Sequence, residues 1–251
     1  MAVMPHWSAS RFMLWEQCPA SFRAHYVDGE AIEVSEAMAF GSAVHHGLEA
    51  HYQGQDGERA FRAMWKAYPT ENRGLTAIGL TLLEQVFELG LEGIPEMGFS
   101  LDTESELGAP IVGAIDLAGT DGTIYDFKTT RGAWSQERAQ KETWQPLLYT
   151  WAHWDQNPGY VANFEYIVLD RVRGTLSRFR REWTPEAWVE QMNALWRRMR
   201  MISVAVAADA FSCTGQHADC PECGGRWSHG HACEPQSVRR IRRHAELVSA
   251  V

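Results

Sequence analysis

No stretch of this sequence has the length or apolar character of a membrane span. The first residues, MAVMPHWSAS, lack the basic region and apolar run of an export signal. Both absences lead to the expectation of a cytoplasmic protein. Positive charge is also scarce, with 23 Lys and Arg against 32 Asp and Glu and a net charge of -9. That balance argues against coating nucleic acid through bulk charge, but it leaves room for a local basic groove. Arginine does cluster, at Arg171, Arg173, Arg178, Arg180 and Arg181, at Arg197, Arg198 and Arg200, and from Arg239 to Arg243. There is no internal repeat and no low-complexity linker, and 251 residues can bury one sizeable core or two small ones. Cysteine is sparse and odd in number: Cys18, Cys213, Cys220, Cys223 and Cys233. An odd count without an export signal speaks against a disulfide framework and for a metal site.

The stretch that organises the chain is Ile111 to Thr130, IVGAIDLAGTDGTIYDFKTT. Two apolar-rich runs flank Thr120-Asp121-Gly122, and Asp-Gly in that setting predicts a β-hairpin. A two-residue loop would pair Asp116 with Tyr125 and set Asp116 and Asp126 on opposite faces. A three-residue loop ending on Gly122 pairs Asp116 with Asp126, and its faces sort cleanly. Ile115, Leu117, Tyr125 and Phe127 then share one face, and Asp116, Asp126 and Lys128 share the other. Opposed carboxylates repel unless a divalent cation sits between them. The plainer reading is an exposed sheet face with a cross-strand Asp–Lys pair.

Helices are expected after Ser8 or Ser10, after Pro19, and over Ser35–Tyr52, Glu58–Ala67 and Thr76–Gly90. Phe99–Leu107 reads as a strand entering the hairpin. Ser135–Trp154 reads as one long helix that Pro146 bends. Asn163–Leu169 and Thr175–Trp183 read as strands, and Thr184-Pro185 opens a helix to about Ala207.

Phosphodiester hydrolysis uses a cation held by carboxylates, with an ammonium group to offset developing charge. Asp116, Asp126 and Lys128 suit those roles. His45 is a candidate third ligand on the early helix, although His46 adjoins it. Four motifs follow one another: Gly41-x3-His45, Gly113-Ala114-Ile115-Asp116, Asp126-Phe127-Lys128 and Gln145-x3-Tyr149. One alone says little. In this order they resemble the RecB-type branch of the PD-(D/E)XK nuclease superfamily.

The resemblance implies an α/β protein with a restriction-endonuclease-like mixed central sheet flanked by helices. It implies Mg²⁺ or Mn²⁺ held by His45, Asp116 and Asp126, catalysis by Lys128 with the two aspartates, and DNA contact by Gln145 and Tyr149. Glu104 and Glu106 precede the hairpin and are further candidates to support the metal or its water. Cys18-Pro19, followed by Phe22-Arg23, resembles the opening of the iron–sulfur subgroup, which includes CRISPR-associated, AddB-like and phage RecB-like exonucleases. There the ligands of a [4Fe-4S] cluster would be Cys18, Cys220, Cys223 and Cys233, with Cys213 able to replace Cys233. Residues 1–30 and 208–235 would then form an iron–sulfur lobe of a single domain spanning 1–251, with 236–251 a basic tail or helix. Read without the resemblance, Cys213, Cys220, Cys223 and Cys233, with His217, His229 and His231 nearby, suit a closed Zn²⁺ site instead.

The function so implied is metal-dependent exonuclease action on DNA, at single-stranded ends, in recombination, repair or CRISPR-related processing. An endonuclease on the same fold and a non-catalytic DNA- or partner-binding module are the alternatives. Trp134, Trp144, Trp151 and Trp154 around the Gln145 helix are candidates to stack bases, with at least two expected in the core instead.

Overall fold

The computed structural model describes residues 4–31, 34–68, 73–132, 134–158 and 160–211. In chain order these form α1 (Ala9–Gln17), α2 (Pro19–Tyr26), α3 (Glu36–Tyr52), α4 (Gly57–Lys66), α5 (Arg73–Phe87), β1 (Gly93–Leu101) and α6 (Glu104–Leu107). The hairpin strands β2 (Ile111–Gly119) and β3 (Thr123–Thr130) follow, then α7 (Gln136–Lys141), α8 (Trp144–Gln156), β4 (Asn163–Asp170), β5 (Thr175–Arg181) and α9 (Pro185–Ala207). Two compact units divide the chain, one of Met1–Ile32, Asp102–Ile111 and Trp196–Val251, the other of Glu33–Leu101 and Val112–Leu195.

In the first unit Ser8 caps α1 by accepting the Arg11 N–H, and Pro19 opens α2, where its missing N–H costs no helical bond. Cys18 sits between the two helices and is buried. Trp7 stacks on Phe12 with ring centroids 4.9 Å apart, and its indole N–H donates to the Leu107 carbonyl. The unit also ties α1 to the end of α9 through an Arg198–Glu16 ion pair, and Phe211 lies against the rings of Trp15 and Phe22.

The second unit carries a five-stranded mixed sheet in the order β1-β2-β3-β4-β5. The hairpin closes through the three-residue loop, with Leu117 paired to Tyr125, Ala118 to Ile124, and Gly122 at φ +76°. β3 and β4 run parallel, which requires a crossover, and α7 and α8 supply it. β4 and β5 are antiparallel around Gly174. One sheet face, with Leu117, Tyr125, Phe127, Ile167 and Leu169, packs on α3, α4 and α5 in a single buried cluster with Phe40, Val44 and Phe61. Gly41 brings α3 close to β3, since a Cβ there would meet the Thr129 hydroxyl at 3.0 Å.

Two expectations need correction. Phe99–Leu107 is not one strand: β1 starts at Gly93 and ends at Leu101, and Glu104–Leu107 is the short helix α6. Gly108 at φ +76° ends that helix, and the Thr103 hydroxyl donates to the Ala109 carbonyl across it. Ser135–Trp154 is not one bent helix but two, parted at Glu142-Thr143. A proline ring collides with the carbonyl four residues before it, which for Pro146 is that of Glu142. The loosened carbonyls of Ala139 and Glu142 instead accept from the buried guanidinium of Arg181 on β5.

Arg181→Met removes the donor and strands those carbonyls. A loss of about 2 kcal/mol in unfolding free energy is expected, read as a lower urea midpoint at unchanged slope.

Candidate metal-dependent active site

The site starts from the backbone of one residue. Phe127 points its ring into the core, 1% exposed, so its neighbours Asp126 and Lys128 must point to the opposite sheet face. Its N–H donates to Asp116 Oδ2 at 2.8 Å. Its carbonyl lies 2.8 Å from His45 Nε2, which must therefore be the protonated nitrogen. The other ring nitrogen, Nδ1, sits 3.6 Å from Asp116 Oδ2. This is the second-sphere bond that commonly fixes a metal-binding tautomer. His46, the competing candidate, is half-exposed and faces Glu49 at 3.6 Å.

Asp126 is 0% exposed, which excludes the plain solvated-face reading. Both sheet faces are covered at this point, because the crossover lays α8 over the face that bears the carboxylates. Lys128 Nζ approaches Asp126 Oδ2 to 2.6 Å, but neither Asp126 oxygen receives a well-directed hydrogen bond among the described residues. Burial pushes the Asp126 carboxyl upward, Lys128 opposes the shift, and Asp116 adds to it. A fully buried carboxylate with spare lone pairs suits a cation.

The carboxylate that sequence reasoning missed is Glu96 on β1. Ligand atoms of His45, Glu96 and Asp116 all lie within 4.8 Å of one another. Loss of water, then the charges of Asp116 and Glu49, raise the Glu96 carboxyl, while His45 lowers it. Glu96 has φ +47°, a left-handed conformation inside a strand that a non-glycine residue adopts only at a cost. Pro95-Glu96 interrupting the strand pattern was the available signal. Glu104 and Glu106, the candidates read from sequence, fall on α6 with exposed side chains. The donor set of one imidazole nitrogen and several carboxylate oxygens fits Mg²⁺ or Mn²⁺ rather than a thiophilic ion.

On α8 the Gln145 amide donates to the Tyr149 hydroxyl at 3.3 Å. Burial, reinforced by the charges of Asp126, Asp116 and Glu96, pushes the Tyr149 phenol up, so it keeps its proton. Phe99 meets Tyr149 edge-on at 5.7 Å, and its ring occupies the space a Cβ at Gly113 would need. Both motif glycines thus make room. Trp144 is buried in the core, and Trp134 packs on Tyr166 beneath the Arg138 guanidinium. Trp154 tilts against Trp188 at 6.0 Å. Cys213, Cys220, Cys223 and Cys233 lie outside the described residues, as do the rest of 212–235 in the expected lobe and the whole basic tail.

No curated protein matches the sequence. A solved structure from Eubacterium rectale, described as a "putative exonuclease", is similar in fold with a TM-score of 0.61 and 14% identity. The match covers 84% of this chain and 85% of that one. The family model of the PD-(D/E)XK nuclease superfamily matches residues 6–228, a span that holds every residue of the site just described. On that match the chain belongs to the PD-(D/E)XK nuclease superfamily.

Proposed function

We propose that this protein is a metal-dependent DNA exonuclease that hydrolyses phosphodiester bonds at single-stranded ends. The observation that carries the reading is the buried Asp126 carboxylate, short of hydrogen bonds and set beside Asp116 and Lys128. His45, Glu96, Asp116 and Asp126 would hold the cation. A bound Mg²⁺ or Mn²⁺ supplies a Lewis acid for the phosphate oxygens and lowers the pKa of water.

The protein's own groups do the rest. Phe127 holds His45 and Asp116 in place through its backbone carbonyl and N–H, so neither must reorganise when substrate arrives. Lys128 is about one quarter exposed and brings an ammonium group to the mouth of the site, where charge gathers on the phosphate. Gln145 and Tyr149 present an amide and a neutral phenol from α8, suited to hydrogen bonding along a nucleic-acid strand. Action at ends rather than within the strand rests on the four-motif resemblance to the RecB-type branch.

The resemblance also favours a [4Fe-4S] cluster on Cys18, Cys220, Cys223 and Cys233. In support, Cys18 is buried at the α1–α2 junction, and Phe211, two residues before Cys213, lies against Trp15 and Phe22 from the same two helices. The lobe would be structural, joining the two ends of the chain.

With Mn²⁺ the wild type should shorten end-labelled linear single-stranded DNA and leave closed circles intact. Lys128→Ala should lose about a hundredfold or more in rate. Cut circles would instead make the protein an endonuclease, and no cleavage of either form would favour a binding module. Mn²⁺ at about 100 times its Kd should stabilise the wild type by about 2.7 kcal/mol, and Asp116→Asn should abolish most of that gain. A thermal melt reads this without any turnover. Anaerobically purified protein should be brown, with iron and sulfide present, and Cys18→Ser should bleach it. Colourless protein carrying zinc that survives Cys18→Ser would replace the cluster with a zinc site.

A further inference from the structure

The chemistry above uses none of the clustered arginines. Four are committed elsewhere: Arg178 pairs with Glu165, Arg180 with Glu182, Arg198 with Glu16, and Arg181 holds the end of α7. Arg131 and Arg171 differ. The last pair of the parallel strands β3 and β4 is Thr130 with Asp170, so these two arginines are the first residues beyond the carboxyl ends of both strands. The Arg171 N–H donates to the Thr130 carbonyl at 2.9 Å, which seats the two side by side. Their charges are close enough to repel.

Arg171 is 6% exposed, yet its ion pair with Glu36 spans 3.7 Å, too far for a hydrogen bond. A guanidinium has five N–H donors in a fixed fork, and a buried one needs partners for them. Here the nearest carboxylate stops short while a second guanidinium, Arg131, stands exposed beside it. An anion bridging the two would give the Arg171 fork a closer partner and offset the repulsion.

The position suits a strand of nucleic acid. Glu36 lies in the first turn of α3, and the same helix carries Met38, Gly41, Ser42, His45, His46 and Glu49 along a cleft of about 570 Å³ that Glu96 also lines. On one side of the metal-binding group its wall extends to Met38, near Glu36 and the helix N-terminus, whose partial positive charge also favours anions. Arg131 is three residues beyond Lys128 on one chain, on the order of 10 Å in an extended backbone. That distance reaches a neighbouring phosphate and not the one that reacts. In open α/β sheets, the carboxyl ends of parallel strands are where ligands are commonly held.

We infer that Arg131 and Arg171 bind a backbone phosphate adjacent to the reacting one, and that Glu36 holds the place this phosphate takes. The inference rests on the nuclease reading above. The two arginines position the strand and take no part in bond breaking. Glu36 acts as a built-in competitor that keeps Arg171 paired while the cleft is empty.

The test is fluorescence anisotropy of a labelled single-stranded oligonucleotide, with Ca²⁺ replacing the active ion so that the strand stays whole. Arg131→Ala, at an exposed position, should weaken binding about tenfold at low salt. It should also flatten the slope of log affinity against log salt by about 0.7, the value for one phosphate contact on a single strand. Glu36→Gln should do the reverse and tighten binding several-fold, because the competing charge is gone. Arg171→Lys keeps a charge but loses the fork, and should behave like Arg131→Ala. Wild-type affinity and salt slope in both Arg131→Ala and Glu36→Gln would overturn the inference while leaving the nuclease reading intact. Weaker binding by Glu36→Gln, together with a lower melting temperature, would reduce the Arg171–Glu36 pair to a structural tie and also overturn it. A wild type that neither binds nor cuts DNA would remove both.

Discussion

The site depends on the backbone of one residue. Phe127 gives its ring to the core, its N–H to Asp116 and its carbonyl to His45, while the residues on either side supply a carboxylate and an ammonium group. In an ordinary antiparallel pair both backbone groups would be spent on the neighbouring strand. Here the main-chain pairing of β2 and β3 covers Leu117–Tyr125 and Ala118–Ile124, and beyond it side chains take over. The backbone bonds lost where the strands part become the bonds that orient the ligands. A change that let β2 and β3 zip further would gain two hydrogen bonds and lose the site.

Covering both faces of the sheet sets the electrostatics. Packing α3 on one face and α8 on the other leaves Asp126 with no water. A buried carboxylate is costly unless it is paired and hydrogen-bonded, and Lys128 meets only part of that need. Asp116 lies close to Asp126, and ligand atoms of Asp116 and Glu96 are gathered with His45. With all three acids ionised and one lysine among them, the excess is two negative charges. One divalent cation neutralises it. The strain at Glu96, φ +47°, has the same logic, since a backbone conformation that disfavours folding persists only where surrounding structure enforces it.

Much of this was legible in the sequence because hairpins obey strong local rules. Gly122 demanded a left-handed φ, the demand fixed the loop length, and the loop length fixed which face Asp116 and Asp126 share. Ser8, Ser35 and Thr184 likewise declared their helices, through caps that act within three residues. What sequence could not supply was contact across the fold. The choice of His45 over His46 turns on a carbonyl 82 residues away. Glu96 lies upstream of Phe99, where the strand read from sequence begins, so only the Pro95-Glu96 break could mark it. Glu104 and Glu106 drew attention instead, and a four-residue helix takes them out of the strand. The division of α7 from α8 was half visible: Pro146 signalled a break, but only Arg181, from β5, shows why the chain parts there rather than bending.

The acidic balance of the whole chain and a nucleic-acid substrate are compatible for a related reason. A protein with a net charge of -9 attracts no polyanion at long range, so any affinity must be short-ranged and held by few groups. The structure commits several of its arginines to a carboxylate or a carbonyl of the chain itself. Among the described residues the groups left for a strand are few: one lysine, a neutral phenol and amide, and two arginines at the ends of parallel strands. On the proposed exonuclease reading, binding built this way would be weak along uniform duplex and would depend on a strand entering far enough to meet the cation. A free end can thread such a cleft, whereas the middle of a long duplex must first be opened or bent to reach it. Scarce positive charge outside the cleft thus favours the same substrate geometry that the motifs suggest.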